Sequence, residues 1–423
     1  MNRNIYLFLL FLAFLPTSQS FASHLTGAEI YWEKIGEDTF RLKLRAYRDC
    51  NGISFTSQNL NVLSKCGSST IALTKGNTYE ITPTCADQCT QCGTATCSYK
   101  YGFEYTEFIG FLYTKSLRQN ACCEVVLSYT KCCRNSAITT GASSNNFYIE
   151  SKLNICLSGD NSSPIFNQDP ISIVCNGRDV IYNLSAVDND MNPSTQTLSD
   201  SLVYSFTPPK KGASSFTSWQ GGYSHMMPLN FMGFPKKSLA FPRGLHLDST
   251  TGELLFRPIG NQVTVIAIKV EEYRNGKKIG EVTRDLQLVV TTCPRNVPPV
   301  ITGINSNYNI DRSFKINLCE AKETCFFVNI SDRDLTDTLY YSYTSNTPGM
   351  TNKGLTKLIN GDSIKICFTP HSATPSGQYQ INLAIEDDAC PIPGKSSIQI
   401  EVNINNSKEK GNFYLQTNSV LNV

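Results

Sequence analysis

Seventeen cysteines stand in this chain of 423 residues, and eleven of them fall between Cys50 and Cys156. No other feature restricts the possible folds as much, because sulfurs at that density are metal ligands, a redox centre or covalent staples. The start of the chain separates these. In MNRNIYLFLLFLAFLPTSQSFASHL, Arg3 precedes an apolar run from Ile5 to Leu15, and Ser20 and Ala22 supply small residues at cleavage offsets. That is the pattern of an export signal over residues 1–22, with a run shorter than the ~20 residues that span a bilayer. No later segment is apolar enough to cross, so the mature chain is expected to carry no transmembrane segment. Its expected location is secreted, at the cell surface on the outer face of the outer membrane, or periplasmic, where disulfides form.

The stretch ACCEVVLSYTKCCRN (121–135) carries two cysteine pairs. Read as one strand, it puts Cys123, Val125, Leu127, Tyr129 and Cys133 on a core face and Cys122 and Cys132 on the other. Its ends lie ~30 Å apart at the rise of a strand. Four thiolates so spaced cannot enclose one zinc, which holds its sulfurs at about 2.3 Å. Each of these cysteines is therefore expected to bond elsewhere, with Cys50, Cys66, Cys85, Cys89, Cys92, Cys97 and Cys156 as partners in a connectivity that spacing leaves open. Cys89-x-x-Cys92 alone has the spacing of half a zinc ribbon, but no histidine stands near it. Further on, Cys325 and Cys367 sit in apolar strand-like runs and are expected to pair, which leaves Cys319 for Cys390. Cys175 and Cys293 flank the middle of the chain and would tie its ends together. The odd count leaves one thiol free or available to another chain.

Strand signals dominate. TFRLKLRAYRD (39–49), EVVLSYTK (124–131), QVTVIAIKVEEY (262–273), RDLQLVVTT (284–292), YQINLAIEDD (379–388) and SIQIEVNIN (397–405) alternate or run with β-branched and aromatic residues. Turn pairs such as Asn275-Gly276, Thr251-Gly252 and Asn360-Gly361 separate them. An all-β chain of tandem sandwiches is expected. Linker-like stretches at 158–170 and 291–300 divide it into a cysteine-rich β domain at 23–160, a sandwich at 161–294 and a second sandwich at 295–405. Residues 406–423 read as a tail or the start of a further segment. Both sandwiches repeat a plan of cysteine, strand, acidic turn and apolar strand. Bridges and short proline-containing joints suggest a stiff rod.

Net charge is +2 with 17% charged residues, and no basic cluster exceeds short pairs such as Lys236-Lys237. A nucleic-acid partner is not indicated. The acidic turns are the candidate metal ligands: Asp188, Asp190 and Asp200 in the second region, then Asp332, Asp334 and Asp337 with Asp387 and Asp388 in the third. Calcium takes six to eight oxygens, and carboxylates at loop spacing supply them; aspartate is also a good turn residue in its own right. The loop 207–243 holds Phe216, Trp219, Tyr223, Phe231 and Phe234 among Gly, Pro and Ser. Those rings either stack on a sugar or fold back to seal the sandwich. No G-x-S-x-G, H-E-x-x-H or phosphate-binding glycine loop is present in the sequence, so an enzyme is not expected.

HLTGAEIYWEKIGEDTFRLKLRAYRDCNG (24–52), CCEVVLSYTKCCRNSAI (122–138), the NFYIE after it and SPIFNQDPISIVCNG (163–177) resemble the N-terminal region of large exported surface proteins of gliding-type Bacteroidota, of the gliding-motility-associated or type IX secretion cargo kind. SDSLVYSFTPP, GLHLDSTTGELLFRPIG and VEEYRNGKKIGEVTRDLQ look like the cadherin-like or Ig-like repeats of such proteins. The resemblance implies a non-enzymatic structural or adhesive protein at the cell surface, a component of a gliding or secretion-associated assembly, whose expected partners are other surface proteins or extracellular polysaccharide. It also implies further repeats and a C-terminal sorting domain, neither of which stands before Val423. A carbohydrate-binding protein is the second expectation and a secreted hydrolase the third.

Overall fold

In TFRLKLRAYRD the leucines alternate with basic residues, and that period of two places one face inward. The strand forms over Thr39–Asp49 with Leu42, Leu44 and Ala46 buried, while Arg41, Lys43 and Arg45 are only partly covered. The computed structural model describes residues 24–405 apart from short internal stretches, of which 191–199 and 233–243 are the longest. The fold is all-β, a set of modules built from packed sheets, of which the first is rich in disulfides. Among the described residues the one helix is the single turn Lys115–Gln119.

Seven strands make up the first region: β1 (Leu25–Gly36), β2 (Thr39–Asp49), β3 (Gln58–Ser64), β4 (Gly67–Glu80), β5 (Phe103–Tyr113), β6 (Glu124–Lys131) and β7 (Phe147–Asn154). They lie in the order β1-β2-β5-β4-β3-β6-β7, each antiparallel to its neighbour. The two end strands both pair with Lys277–Thr291, a strand of the second region. Gly280 and Glu281 face Leu153 and Lys152 of β7, and Arg284, Asp285 and Leu286 face Glu29, Ala28 and Gly27 of β1. An eight-stranded ring results, around a core of Trp32, Leu44, Leu60, Phe108, Leu127, Tyr129 and Phe147. Closure removes the open edges that seven strands alone would leave. The approach at β1 is close: a Cβ on Gly27 would stand 2.2 Å from the carbonyl oxygen of Asp285.

Lys277–Thr291 belongs to a long hairpin with Gln262–Arg274. Its turn is Asn275-Gly276, with φ of 52° and 73°, the left-handed geometry that two-residue hairpins favour. Asp200–Thr207 pairs with the outer edge of this hairpin. Over its other face lie Val180–Asn183, His246–Leu247 and Glu253–Phe256, burying Leu184, Leu254, Phe256, Ile266, Ile268 and Leu288 between the layers.

The third region is a two-layer sandwich. Phe326, Val328, Ile364 and Ile366 on one layer meet Ile381, Leu383, Ile385, Ile398 and Ile400 on the other. Its strand Lys395–Ile404 also forms a parallel bridge, Ser396 to Ile181, with the second region. Beside that bridge the backbone N–H of Asn183 donates to Ser397 Oγ at 2.6 Å, and Ser185 Oγ donates to Asn382 Oδ1 at 2.6 Å. Sheet ladders thus cross both expected boundaries, at 160/161 and 294/295. The regions are braced side by side where a rod with proline joints was expected.

Eight disulfides join the described cysteines. Cys50–Cys92, Cys66–Cys122, Cys89–Cys97, Cys123–Cys156 and Cys132–Cys133 lie within the first region, Cys175–Cys293 within the second and Cys325–Cys367 within the third. Cys122 and Cys123 do bond in opposite directions, toward the flanks of the two strands that neighbour β6. Two expectations need correction. Cys132 and Cys133 bond each other, because β6 ends at Lys131 and strand alternation no longer separates their side chains. Cys390 bonds Cys85 in place of Cys319. The third region packs on the loop after β4 through a small shared core of Tyr99, Phe103, Ile173, Val289 and Ile392, which brings those two sulfurs together. Cys319 lies outside the described residues.

Candidate metal centre

Along Gln262–Arg274 the side chains of Thr264, Ile266, Ile268 and Val270 point inward, and the same period carries Glu272 in with them. Arg274 follows on that face, opposite Asp200 in register. The turn after Ala186–Val187 brings Asp188 and Asp190 to the same place, the backbone N–H of Asp190 donating to Asp188 Oδ1 at 2.9 Å. Asp188, Asp190, Asp200 and Glu272 each offer one oxygen, and those oxygens lie within 4.8 Å of one another. The linker between the first two regions closes the site, with Ser162 N–H donating to Asp190 Oδ2 at 2.6 Å and Asn161 Nδ2 to Glu272 Oε2 at 2.7 Å.

Among the described residues one internal cation serves this cluster. Arg274 donates to both oxygens of Asp200 at 2.6 Å, to Asp160 at 3.0 Å and to Asn161 at 2.9 Å, with Asp190 at 3.8 Å. A single guanidinium cannot balance four carboxylates that are largely out of water. Burial, then the neighbouring Asp190, pushes Asp188 up to about 8. Burial likewise lifts Asp190 to about 6, against the Ser162 amide and Arg274, which lower it. Glu272 is raised well above the ordinary carboxylate range by burial and then by Asp188. Its Oε1 is buried and finds no donor among the described residues. Protons or a divalent cation must supply the missing charge. The donor set is all oxygen, and the spacing suits a hard cation bound at 2.3–2.6 Å. Asp188, Asp190 and Glu272 are the residues that fit a calcium ion, with Asp200 shared between that ion and Arg274.

The third-region acids divide. Asp332, Asp334 and Asp337 come together within the same 4.8 Å limit, and Asp332 Oδ2 is buried without a donor among the described residues. Asp387 and Asp388 serve as braces. Asp387 accepts from the Gly394 and Ala389 amides at 2.7 and 3.1 Å and from Asn296 Nδ2 at 2.9 Å, and Asp388 accepts from the Thr338 amide at 2.9 Å. Asp334 accepts from the Val297 amide at 2.7 Å, so the 291–300 linker is pinned at two points. Sequence reasoning missed Glu272, Arg274, Asp160 and Asn161. The signal for Glu272 was legible: a glutamate in phase with Ile266, Ile268 and Val270 on a core face.

The aromatic loop forms no single platform among its described residues. Trp219 packs on Ile138, Ala142 and Val265, Phe231 packs on the second region's core, and Tyr223 hydrogen-bonds Gln262. Phe216 is exposed. Phe234 lies outside the described residues.

No family model matches the chain, and no curated protein does. Solved structures that it matches include the titin domains Z1Z2 in complex with telethonin, at 11% identity over 59% of this chain and 99% of that one, with a TM-score of 0.18. Drosophila N-cadherin EC1-4 is 11% identical over 67% of this chain and 57% of that one, with a TM-score of 0.20. The N-terminal four Ig domains of Dscam1 isoform 4.4 are 11% identical over 90% of this chain and 75% of that one, with a TM-score of 0.19. Likenesses of this size carry nothing about activity.

Proposed function

We propose that this is an exported, non-enzymatic surface protein with a structural or adhesive role, one that presents rigid β surface to other surface proteins or to extracellular polysaccharide. The observation that carries the reading is the bracing. Three modules share sheets across their boundaries and are stapled by eight disulfides among the described residues, bonds that form and persist in oxidising compartments. The resemblance to gliding-associated surface proteins agrees with it. Calcium is part of the proposal: an ion held by Asp188, Asp190, Asp200 and Glu272 would fix the angle between the first two modules. Protease shaving and antibody labelling of intact cells test the location. Full protection of the chain in intact cells would refute it. Glycan arrays decide the ligand class, since glycan-specific binding would make the carbohydrate-binding alternative the better description.

A further inference from the structure

Cys85–Cys390 differs from the other bridges in kind. It spans 305 residues of sequence, whereas the next longest, Cys175–Cys293, spans 118. It is the one bond among the described residues that joins two modules. Cys85 follows β4 in the first region, and Cys390 precedes Lys395–Ile404, the last strand of the third. The whole second module and most of the third lie inside the loop it closes.

We propose that this bond is a mechanical bypass, which carries tension applied across residues 24–405 from the first module directly to the last strand. The proposal rests on the surface-protein reading for its purpose and on connectivity for its mechanism. Tension entering at His24 reaches Cys50, crosses to Cys92, returns seven residues to Cys85, crosses to Cys390 and leaves through Lys395–Ile404. Only about 50 residues of backbone lie on that path, or about 180 Å at full extension. The hairpin Gln262–Thr291, the closed ring's eighth strand and the carboxylate cluster are all off it. Without the bond, the shortest route runs through Cys66–Cys122, Cys123–Cys156, Cys175–Cys293 and Cys325–Cys367, with about 130 residues and about 480 Å of extension. That route loads the linkers on both sides of the second module. The noncovalent core shared by all three regions is small, with five buried members among the described residues.

The test is single-molecule stretching of the oxidised chain, held at residues 24 and 405, against the Cys85→Ser/Cys390→Ser double variant. The wild type is expected to stop extending at about 180 Å, and the double variant at about 480 Å, about 2.7-fold further. Wild-type extension to the longer limit would overturn the proposal, as would equal limits in the two proteins. Non-reducing peptide mapping of the wild type provides a readout free of variant folding: a Cys85–Cys390 cross-linked peptide is required, and its absence sinks the idea. Both measurements use purified protein, so either can fail while cell-surface location stands, and the reverse.

Discussion

Arg284 and Asp285 are adjacent on the ring-closing strand, point to opposite faces, and each meets an opposite charge on the first region. Replacing Asp285 by Asn tests what that keying is worth. Asp285 accepts from Arg134 Nη1 at 2.8 Å and Nη2 at 2.6 Å, and both side chains are at most 2% exposed. Among the described residues Arg134 keeps only a bond to the Lys210 carbonyl at 3.1 Å and the Phe147 ring at 4.7 Å, and its Nε already lacks a partner there. The amide removes the counter-charge and turns one acceptor into a donor aimed at a donor. Charge-assisted bonds are worth about 1.5–3 kcal/mol each, so the variant should lose about 3–5 kcal/mol, the usual cost of stranding one member of a buried pair. The pair itself is a different matter. Asp285 titrates above the ordinary aspartate value because burial outweighs the pull of Arg134, so removing both charges should be nearly harmless. Arg134→Met/Asp285→Leu is expected within about 1 kcal/mol of the wild type. Denaturant unfolding followed through buried Trp32 and half-buried Trp219 reads both variants. A single variant that costs under about 1 kcal/mol, or a double variant as damaged as the single, would refute the reasoning.

The companion pair should behave otherwise: Glu29 is held below its ordinary value, as Arg284, Arg45 and Tyr47 together overcome burial, so Glu29→Gln/Arg284→Met is expected to stay destabilised by at least about 2 kcal/mol. Metal-free protein should lose stability with rising pH. The raised carboxyls of Asp190 and Asp188 contribute fully below the ordinary aspartate value, and that contribution fades as pH climbs through about 6 and about 8. Calcium should flatten this profile and Glu272→Gln should abolish the flattening, as thermal melts across pH 5–9 would show; a calcium-insensitive profile counts against the site. Gly27→Val should prevent closure of β1 on Asp285, seen as accelerated amide exchange confined to residues 25–29 and 284–286; wild-type exchange there would contradict the register. Shortening the hairpin turn's options by Gly276→Val should cost about 1 kcal/mol or more, since φ there is 73°.

Much of this architecture can be read from local pattern, and the unreadable parts share one cause. Val125, Leu127 and Tyr129 alternate as core residues must, Asn275-Gly276 announces its hairpin, and Cys325 faces Cys367 across two strands whose apolar periods agree. Lys277–Thr291 misleads because Arg284 and Asp285 break the apolar run. From sequence they mark a strand's start, whereas they are interior residues neutralised by Glu29 and Arg134 from the far end of the chain. Cys85–Cys390 is hidden for the same reason, its partners being brought together by packing that no spacing encodes. At the acidic joint the aspartates stand out as turn residues. Glu272 and Arg274 do not, because a charged pair beside a turn ordinarily reads as a solvated step.

The borrowed eighth strand has a consequence for how the molecule is made. Synthesis delivers the N-terminus first, and β1 and β7 wait with unsatisfied edges until residue 291 has followed. During that interval the seven strands of the first region are made but not closed, exposed to pairing with their own copies. The smallest heritable or expressible unit of this protein is therefore the first two modules together, and a gene fragment ending near residue 160 would encode a sticky intermediate.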